Sequence, residues 1–129
     1  QIDGKNFPLE AHFVHVAKDG QLAVVGVMFE DGSDNLVLRK IWDKMPHKAN
    51  MTREIHFDAE DVNAILPQKR DHYEFIGSLT TPPCSENVLW MVMKNYSNIS
   101  SPETREFLRT MHHENNRPVQ ELFNREIND

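Results

Sequence analysis

Glu10 and His12 stand two positions apart in the stretch LEAHFVHV. In a strand, alternate residues share a face, so a carboxylate would sit beside an imidazole and could orient it as a metal ligand. From the residues alone the simpler reading of the two is a satisfied polar couple on a half-buried strand. His15 would point to the opposite face, so His12 and His15 cannot hold one ion together. The chain has seven histidines. His112 and His113, beside Glu114, fall near an expected helix end, and His47, His56 and His72 fall in polar loops, where solvation is the simpler account. No HExxH or CxxC spacing exists, and a catalytic zinc takes about three protein ligands plus an open position. The residues by themselves therefore offer one credible ligand, His12.

A second stretch, GSLTTPPCSENVLW, runs from Gly77 to Trp90. Proline restricts the residue before it and fixes its own backbone, so Thr80-Thr81-Pro82-Pro83 would hold a hydroxyl and a backbone N–H rigidly at a strand end. A plain turn would need no more than that. Val88 and Trp90 share a face and would supply an apolar wall, as core packing also would. Cys84 is the single cysteine, so it has no internal partner. It is either a buried free thiol or paired with another segment or chain.

These residues need elements to position them. LEAHFVHVA and LAVVGVMF flank KDG, and Asp-Gly between apolar runs predicts a hairpin. A two-residue Asp19-Gly20 loop would pair Val14 with Val25, whereas a three-residue loop with Gly20 left-handed would pair Val14 with Val24. Both faces are fairly apolar, and the pattern does not choose. NLVLRKIWDKM predicts a helix with Leu38, Ile41, Trp42 and Met45 at helical spacing, capped by Ser33 or Asp34 and closed by Pro46. DAEDVNAILP repeats that design, with Asp58 capping, Val62, Ile65 and Leu66 inward and Pro67 stopping it. YEFIGSL and ENVLWMVMK read as a strand pair. SSPETREFLRTM reads as a helix with Ser101 as N-cap, Pro102 at its first position and Phe107, Leu108 and Met111 inward. ENNRPVQELFNREIND has little periodicity and is expected to be an extended tail packed on the body.

A chain of 129 residues is about one domain. With 39% apolar and 26% charged residues, it has a globular composition. A net charge of -6 lacks the basic face that a nucleic-acid binder needs. No run is long and apolar enough to span a membrane as a helix. Triplets at Asn50, Asn95 and Asn98 match N-x-S/T and carry little weight at this asparagine content. The chain begins at Gln1 on a turn feeding a strand, which reads as the interior of a longer sequence.

GSLTTPPCSENVLW resembles the signature segment of α-class carbonic anhydrases. LEAHFVHV, LAVVGVMFEDGSDN and NNRPVQ stand in the family's order and approximate spacing. The resemblance covers nearly the whole chain, as the C-terminal half of such an enzyme. Cys84 and the short KDG hairpin are similar to bacterial exported members. It implies an α+β, β-dominated fold, part of a central, mostly antiparallel twisted sheet with short surface helices. Residues 1–129 would be the C-terminal portion of a single domain whose N-terminal portion is missing.

The resemblance also implies roles. His12 would be a zinc ligand and Glu10 the carboxylate behind it. Thr80 would be the gatekeeper, its hydroxyl accepting a hydrogen bond from the hydroxide on zinc, with Thr81 beside it in the polar half of the site. Val14, Val24, Leu79, Val88 and Trp90 would line an apolar pocket for carbon dioxide, which fixes the register with Val14 opposite Val24. Asn115 would support another zinc-binding histidine through its carbonyl, braced by Arg117. Cys84 would form a disulfide with an upstream cysteine. The implied activity is a zinc lyase that reversibly hydrates carbon dioxide to bicarbonate and a proton, located in the periplasm or secreted. The His-x-His strand, the glutamate that accepts from the gatekeeper, any proton-shuttle histidine and the partner of Cys84 are absent from this chain and expected upstream of Gln1. The chain alone is therefore expected to be inactive and to need that N-terminal half as its partner, with a homodimer among its candidate assemblies. The competing reading is a non-catalytic anhydrase-like binding module.

Overall fold

The computed structural model describes residues 1–129. Strands β1 (Leu9–Val16) and β2 (Leu22–Asp31) form the expected antiparallel hairpin, with Val14 opposite Val24. Of the two registers that the residues left open, this is the one with Lys18, Asp19 and Gly20 at the tip. The Ala17 N–H donates to the Gln21 carbonyl at 2.8 Å, and the Gly20 N–H donates to the Ala17 carbonyl at 2.9 Å. Gly20 has φ +87°, a left-handed backbone that glycine adopts without a Cβ clash.

Strands β3 (His72–Ser78), β4 (Glu86–Met93) and β5 (Ser97–Ile99) complete a sheet of order β1-β2-β4-β3, with β5 on the end of β2. The β1–β2 and β3–β4 pairs are antiparallel, while β2–β4 and β2–β5 are parallel. The β-dominated α+β class is as expected. The sheet is mixed because β4 returns to β2 after a long connection that carries two helices and β3, and such a crossover delivers a parallel neighbour.

Helices α1 (Leu36–Trp42), α2 (Ala59–Ile65) and α3 (Ser101–Met111) cover one face of the sheet. There Val27, Phe29, Met93 and Ile99 of the strands bury against Leu38, Trp42 and Ile65, each side chain stabilising by about 1.5–3 kcal/mol when fully buried. The opposite face gathers Val24, Met28, Val88, Trp90 and Val92.

Two caps differ from expectation. Asn35, rather than Ser33 or Asp34, caps α1, its side-chain oxygen accepting from the N–H groups of Val37 and Leu38. Its own N–H is held by the Glu103 carboxylate at 3.1 Å, which sets where the helix begins. Ser100, not Ser101, caps α3, because Glu103 then stands at the position that closes a reciprocal capping box. Asp58 caps α2 as expected, in a box with Asp61. In α3, Phe107 packs 5.5 Å from Trp42, but Leu108 is 44% exposed and does not face inward.

The tail after α3 touches the body at its far end. The backbones of Asn128 and Glu74 exchange two hydrogen bonds of 2.8 and 2.9 Å, which adds a short pairing to the outer edge of β3. Val119, Leu122 and Phe123 stay exposed.

Candidate active site

The face opposite the helices carries Glu10 and His12, because β1 alternates and pairs with β2 so that His12 lies opposite Gly26. The Nε2 of His12 is 2.9 Å from the Glu10 carboxylate. A carboxylate at that nitrogen draws the ring proton to it and leaves the Nδ1 lone pair for another partner. Gly26 makes this arrangement fit. A Cβ there would lie 3.3 Å from Glu10 Oε1 and 3.6 Å from Trp90 Cζ3.

Trp90 forms the wall of the site, and its orientation is fixed on three sides. Its ring meets His12 edge-on with centroids 4.8 Å apart. Phe75, its cross-strand partner, stacks at 6.3 Å and 5°. Its indole N–H donates to the Ser78 carbonyl at 3.0 Å. Gly77 leaves space for that packing, since a Cβ would meet Phe75 and Trp90 ring atoms at 3.1 Å each.

Between Gly77 and Ser78 the strand register slips, so that Gly77 faces Val88 and Ser78 faces Glu86. Asn87, with φ +63°, is the extra residue opposite the slip, and such a bulge re-aims the end of a strand. The loop that follows is closed by the Leu79 N–H donating to the Ser85 carbonyl at 2.9 Å and the Cys84 N–H donating to the Thr81 carbonyl at 2.8 Å. Thr80 and Thr81 stand exposed on it, and Cys84 is a half-exposed free thiol. From the tail, Arg117 Nη1 donates to Ser78 Oγ at 3.2 Å.

The structure thus gathers His12, Glu10, Val24, Val88 and Trp90 on one face, with Leu79 packed against that cluster. Val14 shares the face but is 56% exposed at the sheet edge. Asn115 is exposed and forms none of these hydrogen bonds. Gly26, Phe75, Gly77 and Ser78 escaped the sequence reading. The alternation in EFIGSL puts Phe75 and Gly77 on one face of their strand, a signal that needed the register with Trp90 to become useful. The ion pairs that shift their partners' pKa values lie elsewhere. Hydrogen bonding to Lys40 lowers that of Asp61, and hydrogen bonding to Lys94 lowers that of Asp129.

Zinc is the metal to test against this geometry. His12, with Nε2 against Glu10 and Nδ1 available, fits one ligand position. No three His, Cys, Asp or Glu residues of the chain group closely enough to hold an ion, so these residues fit a corner of a zinc site and do not complete one.

A family model for eukaryotic-type carbonic anhydrase matches residues 1–129. The chain is 45% identical over 126 residues to a carbonic anhydrase of Klebsiella pneumoniae, covering 98% of the chain and 51% of that protein. It spans about half the length of the curated relatives it matches. Among solved structures, the α-carbonic anhydrase of Thermovibrio ammonificans in complex with the inhibitor sulfanilamide superposes with a TM-score of 0.91 at 43% identity, covering 97% of this chain and 55% of that one. Dioscorin, solved in complex with ascorbate, superposes with a TM-score of 0.78 at 30% identity, covering 97% and 54%.

Proposed function

Because the chain belongs to the eukaryotic-type carbonic anhydrase family, we propose that it is the C-terminal part of a zinc enzyme that converts carbon dioxide and water reversibly to bicarbonate and a proton. The observation that carries this reading is the 2.9 Å approach of the Glu10 carboxylate to His12 Nε2, on a face whose neighbouring wall is Trp90. His12 would hold zinc through Nδ1, and the remaining ligands would come from a segment preceding Gln1, so residues 1–129 alone are inactive. Zinc supplies Lewis acidity that makes water a competent nucleophile near neutral pH.

The residues of this chain would do the rest by positioning. Glu10 fixes the tautomer and strengthens His12 as a donor. Val24, Val88 and Trp90, all buried, form a dry surface suited to an apolar gas molecule, with Leu79 at its rim and Val14 completing it once the β1 edge is covered. Thr80 and Thr81 present hydroxyls and N–H groups from a closed loop at the end of β3, where they can orient the attacking water and hold the bicarbonate oxygens. Asn115 would meet a ligand histidine of the N-terminal part. Cys84 would be bonded there too, which needs an oxidising compartment and makes the protein periplasmic or secreted.

A binding module is the second reading, favoured by the likeness to dioscorin, which was solved holding ascorbate. Zinc stoichiometry of the full-length protein, with intact mass before and after reduction, separates the two. About one zinc per chain and stopped-flow hydration of carbon dioxide support the enzyme. A folded full-length protein without zinc supports the module.

A further inference from the structure

We infer that Ser78 is a positioning residue for the gatekeeper loop, an assignment that rests on the carbonic anhydrase reading above. Every polar group of Ser78 beyond the strand pairing is engaged, and each partner belongs to a different part of the site. Its carbonyl accepts from the indole of Trp90 at 3.0 Å, and Trp90 is the ring that touches His12. Its hydroxyl accepts from Arg117 at 3.2 Å and donates to the Leu79 carbonyl at 3.0 Å. That carbonyl belongs to the peptide group that supplies the N–H of Thr80. The hydroxyl therefore ties the tail, through Arg117, to the peptide plane from which Thr80 projects.

The location gives the bridge something to do. Ser78 sits where the β3–β4 register slips, so ladder hydrogen bonds no longer dictate the direction of the chain beyond it. Past this point the loop is held by the Leu79–Ser85 and Cys84–Thr81 backbone bonds, and neither involves the groups of Thr80. The Arg117–Ser78–Leu79 chain is the side-chain device that sets the tilt of the peptide entering Thr80. Arg117 thus acts on the gatekeeper itself as well as bracing its own segment. Misplacing a reacting group by about 1 Å costs on the order of a hundredfold in rate, so a tilt of this peptide is enough to matter.

The test uses the full-length protein and the variants S78A, R117Q, S78A/R117Q and S78T. With zinc content and KM unchanged, S78A and R117Q are each expected to lose about tenfold to a hundredfold in kcat. The double variant is expected to lose no more than either single one, and S78T, which keeps the hydroxyl, to recover most of the rate. The backbone amide resonances of Leu79 and Thr80 should move in S78A and R117Q and stay in place in S78T. If S78A fails to fold, R117Q and S78T carry the same comparison. A kcat for S78A within about twofold of wild type, or losses that multiply in the double variant, would overturn the assignment. If the wild-type protein hydrates no carbon dioxide, the enzyme reading falls and the amide shifts alone decide; unmoved Leu79 and Thr80 amides then overturn the role of Ser78 as well.

Discussion

The fully buried carboxylate of Glu103 accepts the backbone N–H of Asn35 at 3.1 Å, joining the start of α3 to the start of α1. It also accepts from the Ser100 N–H and hydroxyl at 3.0 Å each, while its own carbonyl accepts from the Trp42 indole at 2.8 Å. One side chain therefore caps one helix and fixes the entry of another. Removing it as E103A strands buried donors at three atoms and should cost roughly 3 kcal/mol. E103Q, which keeps one accepting oxygen, should cost less. Chemical denaturation of the two variants checks the order, and equal losses would refute it.

At Gly77 the structure predicts that even a methyl is excessive. A Cβ would lie 3.1 Å from ring atoms of both Phe75 and Trp90, and Trp90 is buried and held by its hydrogen bond to Ser78. G77A should destabilise by about 1–3 kcal/mol and change the near-ultraviolet circular dichroism of the tryptophan. A variant with wild-type stability and spectrum would show that the rings yield freely.

For Glu10 the readout is metal affinity. E10A in the full-length protein should weaken zinc binding by about 10–100-fold, measured by competition with a chromophoric chelator. E10A with unchanged zinc affinity would leave Glu10 as no more than a polar neighbour of His12.

The Lys40–Asp61 pair gives a pH signature in which both signs can be worked out. Hydrogen bonding to Lys40 holds the Asp61 carboxyl below its ordinary range, and the same bond raises Lys40. The depressed acid contributes stability above its unfolded pKa, lost as pH falls through the folded value, below about pH 4. The raised lysine contributes stability below its unfolded pKa, lost as pH rises through the folded value, above about pH 10. Melting temperatures of wild type and D61N should therefore differ across the neutral window and converge at both extremes. A gap independent of pH would trace the effect to the capping box of α2 instead.

How far these features could be read in the sequence depended on the range over which each is determined. Asp58 was legible as a cap because a local box decides it. Ser100 was legible in principle too, since Glu103 stands three positions after Ser100 and two after Ser101, and only the former spacing closes a box. Asn35 was not, because the partner that holds its N–H is Glu103, far along the chain. Leu108 has inward spacing, yet a narrow stripe around Phe107 is what α3 buries here. The hairpin was legible from Lys18-Asp19-Gly20, while its register was open until resemblance and then structure placed Val14 against Val24. The Glu10–His12 relation followed from strand alternation alone. Trp90 against His12 required the parallel register of β2 with β4, and Ser78 between Trp90 and Arg117 required the slipped β3–β4 register together with the path of the tail, none of which a local pattern encodes.

That parallel register also has a temporal meaning. The β1–β2 hairpin needs only its own short loop and can form within microseconds, whereas Val24 meets Trp90 only after the whole intervening stretch of chain has been drawn in. Loop closure of that length must precede any reward from contacts. The β1–β2 hairpin and the β3–β4 pair, each closed by a short loop, are thus expected to form early and to dock on one another late, so the wall beside His12 is among the last contacts to assemble during folding.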